Sequence, residues 1–229
     1  LSKINTKLKV LFLGKKNDSF ADIAANICKE KFKFTKIFFS SREDRIENYI
    51  NKLEQDILIS YLFPKHIKKK LLANTKMIAI NFHPGPPNYP GIGCSNYAIY
   101  NNEKEYGVTS HIIKEKVDSG PILEVRRFAL NKKENLFSLT QRAYIHLFEM
   151  YLNIINQLQK NEVPEIKKNE KWVGKAKTRK QFENFLLLNP NMEYEEIKRR
   201  IEATTWPGKG SAYFNLKGFK FEGKLKSND

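Results

Sequence analysis

Along its first half the chain alternates dense apolar runs, too short to be helices, with longer stretches whose apolar residues recur at helical intervals. Lys7 to Leu13 reads as a first strand that turns at Gly14, and Phe20 to Lys31 as the helix after it. Phe34 to Ser40 is the next strand, and Ser41 stands where it would cap a helix from Arg42 to about Leu53. A third strand is expected over Asp56 to Leu62, then a helix beginning near Pro64, then a buried parallel strand containing Met77-Ile78-Ala79-Ile80. Gly107 to Ile113 reads as one strand more. Strands that alternate with helices need crossover connections, so the fold class is α/β, a Rossmann-like, doubly wound and mostly parallel sheet. Gly14-Lys15-Lys16-Asn17 lacks the further glycines of a dinucleotide fingerprint, which removes that cofactor from consideration.

The second half has a different rhythm. A long helix is expected from about Asn135 to Gln159, across the sheet, followed by a polar stretch from Lys160 to Lys177 that resembles a linker. Thr178 caps a helix over Arg179 to Leu188, and another begins near Asn191 and stops before Pro207. Beyond it, Ala212-Tyr213-Phe214 and Phe219-Lys220-Phe221 read as a hairpin. The natural division is a main domain with its linker over 1–177 and a C-terminal extension of helices and hairpin over 178–229.

Composition changes this picture little. A chain of 229 residues with 41% hydrophobic content buries a full core. The net charge of +16 favours anionic ligands, although the basic residues are interleaved with acids rather than gathered into a nucleic-acid-binding tail. Two cysteines, Cys28 and Cys94, make no disulfide framework, and no Cys/His spacing matches a metal site, so no metal is expected. Nothing apolar reaches the length of a membrane span, and a cytoplasmic location without membrane contact is expected. His111 and His146 read as structural, and the acidic run from Glu193 to Glu202 as a solvated helix face.

The chemistry lies in two motifs. Asn81-Phe82-His83-Pro84-Gly85-Pro86-Pro87-Asn88-Tyr89-Pro90-Gly91 follows the strand at Met77, and Asp118-Ser119-Gly120-Pro121-Ile122 begins 35 residues after His83. Alternation along a strand points Asn81 and His83 the same way and Phe82 into packing. They stand at the carboxyl end of a strand, where open α/β sheets bind ligands. An amide donor, an imidazole and a carboxylate in one place suit acyl transfer to an amine. Asn81 can donate to a tetrahedral oxyanion, His83 can donate or protonate, and Asp118 can orient the imidazole and accept the amine's proton. No serine or cysteine nucleophile is needed, since the amine itself attacks.

These motifs resemble the signature of formyltransferases that use 10-formyltetrahydrofolate: Asn-x-His-Pro, a proline-rich loop, then Asp-x-Gly-Pro-Ile. The string from Asn81 to Cys94 looks most like the branch that N-formylates amino sugars carried on a nucleotide. That resemblance, which runs from the first strand to about Phe214, implies a catalytic trio of Asn81, His83 and Asp118 within a domain over 1–177. It implies 10-formyltetrahydrofolate as formyl donor, its pterin against backbone near Tyr61, Leu62, Phe63, Ile67, Lys114 and Val117. It also implies a nucleotide-linked amino sugar, dTDP-linked and used for surface polysaccharide, held near Gly85, Pro86, Tyr89 and Trp206, and a homodimer through the C-terminal region. Three other readings compete. Methionyl-tRNA formyltransferase would suit the charge but carries a C-terminal β-barrel that the residues after Thr178 are too few to build. Glycinamide ribonucleotide transformylase carries Ser-Leu-Leu-Pro after its His-Pro. A basic nucleic-acid-binding module would not need all three of Asn81, His83 and Asp118.

Overall fold

The computed structural model describes residues 7–45, 48–132 and 134–224. Strands β1 (Lys9–Lys15), β2 (Phe34–Ser40), β3 (Gln55–Tyr61) and β4 (Thr75–His83) run parallel in the order β2-β1-β3-β4. The sheet continues through β5 (Glu105–Ile112), antiparallel to β4, and β6 (Ile122–Ala129), antiparallel to β5. Of its six strands only β5 runs against the rest, so the sheet is mostly parallel. The helices are α1 (Ser19–Lys31), α2 (Lys69–Ala73), α3 (Cys94–Tyr100), α4 (Leu136–Gln159), α5 (Arg179–Leu186) and α6 (Tyr194–Thr204), and β7 (Tyr213–Leu216) and β8 (Phe219–Glu222) form the expected hairpin.

Strand alternation sorts the core into two faces of unequal depth. Val10, Phe12, Ile57, Ile59, Tyr61, Ile78, Ile80 and Phe82 point to one side, where α1 and α4 cover them with Ala24, Cys28, Leu147, Tyr151 and Ile154. Leu11, Leu13, Leu58 and Ala79 point to the other, covered by little more than Ile50, Ile67 and Leu71. Asn81 and His83 continue the Ala79 row and so lie on this thinly covered face. A third small cluster, Leu188, Ile201 and Ala212, joins the C-terminal helices to the hairpin.

Several expectations need correction. Ser41 donates its backbone N–H to the Asp44 carboxylate at 2.8 Å, yet the following residues form bends. The only described helical turn between β2 and β3 is a 3-10 turn over Ile50–Lys52. Arg42 to Arg45 offer no apolar residue to bury, and a short helix needs a buried face; residues 46 and 47 of that expected helix lie outside the described ones. The helix expected from Pro64 begins only at Lys69, because the intervening residues cross to a neighbouring loop, where His66 Nε2 meets the Glu115 carbonyl at 2.6 Å. α5 ends two residues early, its last carbonyls giving way to a bridge between Leu187 and Tyr213.

The stretch from Lys160 to Lys177 is no loose linker either. It is stitched to the main domain by Lys167 N–H to the Ile122 carbonyl, Val173 N–H to Pro87 and Lys177 N–H to Pro90, at 2.8, 3.0 and 2.9 Å. Its polar sequence gave no sign of this, since backbone groups make the bonds.

Tyr151 is the keystone of the thick face. Its ring meets Phe12, Tyr61 and Phe82 edge-on or steeply tilted at 5.3 to 6.3 Å, and its hydroxyl donates to the Ala24 carbonyl at 2.6 Å. Tyr151→Ala should therefore lower the unfolding free energy by about 3–5 kcal/mol. Urea denaturation checks this, and a loss under about 1 kcal/mol would show that α4 does not anchor the sheet.

Candidate active site

Register across three strands builds the floor of the site. Ser60 on β3 pairs with Asn81 on β4, which pairs with His111 on β5, so these side chains stand in one row. The Ser60 hydroxyl donates to Asn81 Oδ1 at 2.7 Å, and this fixes which way the amide faces. Asn81 Nδ2 then lies 3.1 Å from His111 Nε2. His111 Nε2, which also lies 3.2 Å from Asp118 Oδ1, can take at most one of the two amide N–H groups, so the other is left for a ligand. Asn81 is held from both ends before anything binds.

Asp118 comes to this row from the loop after β5. Its backbone takes a left-handed conformation, φ 43°, which aspartate tolerates better than most residues. One carboxylate oxygen lies 3.3 Å from His83 Nδ1 and accepts the Gly91 N–H at 2.7 Å; the other lies 3.2 Å from His111 Nε2. All three side chains are under a tenth exposed. Burial raises the Asp118 pKa, but the two imidazoles and the Gly91 N–H outweigh it and bring the group down to about 2, so the carboxylate is ionised at neutral pH.

His83 is pulled in opposite directions. Burial lowers its pKa, Asp118 raises it, and burial prevails, leaving it below the ordinary 6.5 and neutral at pH 7. Its Nε2 faces the Tyr89 carbonyl at 3.0 Å while Nδ1 faces Asp118. A neutral imidazole has one N–H for these two acceptors, and taking up a proton satisfies both. His83 is thus placed to gain a proton during a reaction and to give it back afterwards.

Glycine allows the close approach around the carboxylate. Gly91, at φ 89°, lies so near the backbone of Lys177 that a Cβ there would sit 2.4 Å from its nitrogen. The residue that donates to Asp118 is therefore also the one that docks the 160–177 segment, and Ile92 N–H donates to the Lys177 carbonyl at 3.0 Å. From that segment Trp172 donates its indole N–H to the Gly120 carbonyl at 2.8 Å and presents its ring to His111 and His83, with centroids 4.9 and 5.6 Å away.

The other expected contact residues are scattered in type. Gly85 packs on His83 and Cys94, Pro86 is buried, and Tyr89 supplies the carbonyl that faces His83. Tyr89 also lines a cleft of ≈ 420 Å³ walled by Tyr97, Tyr100 and Phe185, with Lys175 and Lys177 at its side. Trp206 is not among the residues lining that cleft and meets Phe137 edge-on at 5.4 Å. The ring of Tyr61 is wholly in the core. Ile67 is buried in the thin face, and Phe63 packs against that cluster. Lys114 and Val117 belong to the loop before Asp118, which the His66–Glu115 contact ties to the loop after β3.

His111 is the correction that matters most. Read as a structural histidine, it instead touches both Asn81 and Asp118. Its alternation with Thr109 set its face of β5; only the pairing of β5 with β4, which sequence does not disclose, sets it opposite Asn81.

Comparison with known proteins shows the family and the fold. A family model described as formyl transferase matches residues 9–155, well over half of the chain. The bifunctional polymyxin resistance protein ArnA of Wigglesworthia glossinidia brevipalpis is 26% identical over 181 residues, which are 78% of this chain and 27% of that protein. The chain spans 27% to 55% of the length of its first curated relatives, several of them methionyl-tRNA formyltransferases. Among solved structures, a 4-N formyltransferase from Francisella tularensis superposes with a TM-score of 0.76 at 20% identity, covering 96% of this chain and 97% of the other. The N-formyltransferase from Helicobacter canadensis, in complex with folinic acid and dTDP-3-aminofucose, gives 0.68 at 20% identity over 93% and 86%.

The buried groups set a pH dependence of stability. His83 stays neutral in the folded protein below the pH at which the unfolded chain protonates it, so stability falls as pH drops below about 6.5. Asp118 adds a second loss as pH drops from 3.8 toward about 2. Denaturation curves across this range should show both, and His83→Gln should remove the upper one. Stability that rises as pH drops from about 7 to about 5, with His83→Gln unchanged in slope, would contradict the assignment.

Proposed function

The chain belongs to the formyl transferase family, and from that premise we propose that it moves a formyl group from 10-formyltetrahydrofolate to the amine of a nucleotide-linked amino sugar. The carrying observation is the convergence of a free Asn81 N–H, a neutral His83 and an ionised Asp118 at the end of β4. The donor, when bound, supplies a formyl carbon activated by its attachment to nitrogen. The amine nitrogen bonds to that carbon, the carbon's bond to the donor nitrogen breaks, and one proton passes from the amine to the departing nitrogen. Asn81 donates to the oxygen on which negative charge develops. Asp118 and His83 take the proton from the attacking amine, and His83 holds it between Tyr89 and Asp118 until it is delivered.

The donor fits the chain's own residues. The loop after β3, from Leu62 at φ 53° through Phe63 to Ile67, is joined to the loop of Lys114 and Val117 by His66 and Glu115. These two loops would hold the pterin by backbone, with Tyr61 contributing backbone alone because its ring is in the core. The acceptor side is supported by the cleft beside Tyr89, where aromatic walls suit a base and Lys175 and Lys177 suit phosphates. dTDP is the nucleotide favoured, with Gly85, Pro86 and Trp206 remaining proposed contacts around the sugar, for surface polysaccharide synthesis. Methionyl-tRNA is the acceptor that the net charge of +16 would favour instead.

Mass spectrometry decides between them. Enzyme, 10-formyltetrahydrofolate and a panel of nucleotide amino sugars should yield one product heavier by a formyl group, and aminoacylated tRNA none. Formylation of methionyl-tRNA alone would overturn the acceptor assignment. With the true acceptor, Asn81→Ala should lower kcat by roughly 10²–10³ and leave KM nearly unchanged. A defect confined to KM would remove Asn81 from the oxyanion.

A homodimer completes the proposal. Leu216, Phe219 and Phe221 on the hairpin are 60%, 69% and 54% exposed, a contiguous apolar face that a two-fold contact would cover. Light scattering should give twice the chain mass of 26.8 kDa, and the pair Phe219→Asp and Phe221→Asp should return it to one chain. A wild-type monomer at micromolar concentration would refute the dimer.

A further inference from the structure

The segment from Lys160 to Lys177 meets the site through one side chain that formyl transfer, as derived above, does not use. Trp172 is half-buried, with its ring packed against the imidazoles of His111 and His83. It meets His111 at an interplanar angle of 87° and His83 at 73°, so one ring makes edge-to-face contact with both imidazoles. Its indole N–H holds the Gly120 carbonyl at 2.8 Å, two residues beyond Asp118. On either side, Glu170 is bound to Arg127 at 2.6 and 2.7 Å and Val173 N–H to the Pro87 carbonyl, so the ring is anchored by its neighbours in the chain.

We propose that Trp172 is a positioning residue for the reaction, its ring keeping water from His83, His111 and Asp118 and its indole N–H fixing the turn that carries the carboxylate. The proposal rests on the formyl-transfer reading, since it acts through the residues that reading employs. Its physical content is dielectric. An ion pair or a proton held between buried groups interacts more strongly when water is excluded, and the half-buried Trp172 is in ring contact with both buried imidazoles.

The groups that face His83 are few and identifiable. Asp118 and His111 approach it from the β5–β6 loop and β5, the Tyr89 carbonyl from the proline-rich loop, and the Cys94 thiol lies past Gly85 at the start of α3. The Tyr106 hydroxyl donates to the Pro84 carbonyl at 2.9 Å, and burial keeps both Cys94 and Tyr106 protonated by raising their pKa values. Burial is also what lowers His83, against the pull of Asp118. Removing the cover should therefore move His83 upward, toward its ordinary 6.5.

Imidazole NMR titration of the substrate-free protein reads this directly, and with only four histidines each signal can be assigned by substitution. Trp172→Ala should raise the titration midpoint of His83, shift the acidic limb of the kcat profile the same way, and lower kcat tenfold or more while the acceptor KM stays within about threefold. Trp172→Phe keeps a ring but loses the N–H, so His83 should titrate as in the wild type while kcat drops. A folded Trp172→Ala in which His83 titrates as in the wild type overturns the proposal. If that variant does not fold, Trp172→Leu decides by the same titration, a raised midpoint supporting the cover and an unchanged one overturning it. Because the titration needs no substrate, it tests Trp172 even if the wild type forms no formyl product, an outcome that would instead defeat the functional reading.

Discussion

A carboxylate taken out of water must find compensation nearby, and in this protein the burial of Asp118 organises everything around it. Its oxygens face one backbone N–H and two imidazoles. To bring the Gly91 N–H into place, the proline-rich loop folds back over the end of β4, and the residue there must tolerate φ 89° with Lys177 packed against it. That packing draws in the 160–177 segment, and Trp172 with it. One buried charge thus explains why two distant motifs and a polar segment converge.

The unequal faces of the sheet explain where this happens. The aromatic cluster around Tyr151 gives the thick face rigidity, so the strand ends are fixed. Polar residues on the thin face, where α2 is a single short helix, have neighbours that are loops rather than helices. Ser60, Asn81 and His111 can therefore form a hydrogen-bonded row at the strand ends, held by rigid β-structure and bordered by loops.

Much of this was legible in sequence, and what was not has specific causes. The dense apolar run Phe34–Ser40 located β2 to the residue, and helical spacing of buried apolar residues located α4, Leu136–Gln159, to within one. The cap at Thr178 was equally plain, and the structure adds Gln181 as its partner in a capping box. Asn81, His83 and Asp118 stood out through their motif, and the structure brings Asp118 to within hydrogen-bonding range of His83, with His111 between Asn81 and Asp118. His111 did not stand out, because its partners are set by strand register across 30 residues. Trp172 and the strap around it were hidden for another reason: their ties to the motifs run through backbone carbonyls of Gly120, Pro87 and Pro90, which leave no mark on residue type. The helix expected after Ser41 shows the converse, a local start signal followed by Arg42 to Arg45, which offer no apolar residue to bury.

The central claim is that Asp118 and His83 act as one proton-handling unit rather than as two independent contributors. A double-mutant cycle on the single-turnover rate of formyl transfer, with His83→Gln, Asp118→Asn and the pair together, tests it directly. Each single substitution should lower the rate by about two orders of magnitude or more, and the double variant should be little slower than the worse single one. Losses that multiply, so that the double variant is slower by the product of the two, would contradict a shared proton and show that the two residues contribute independently.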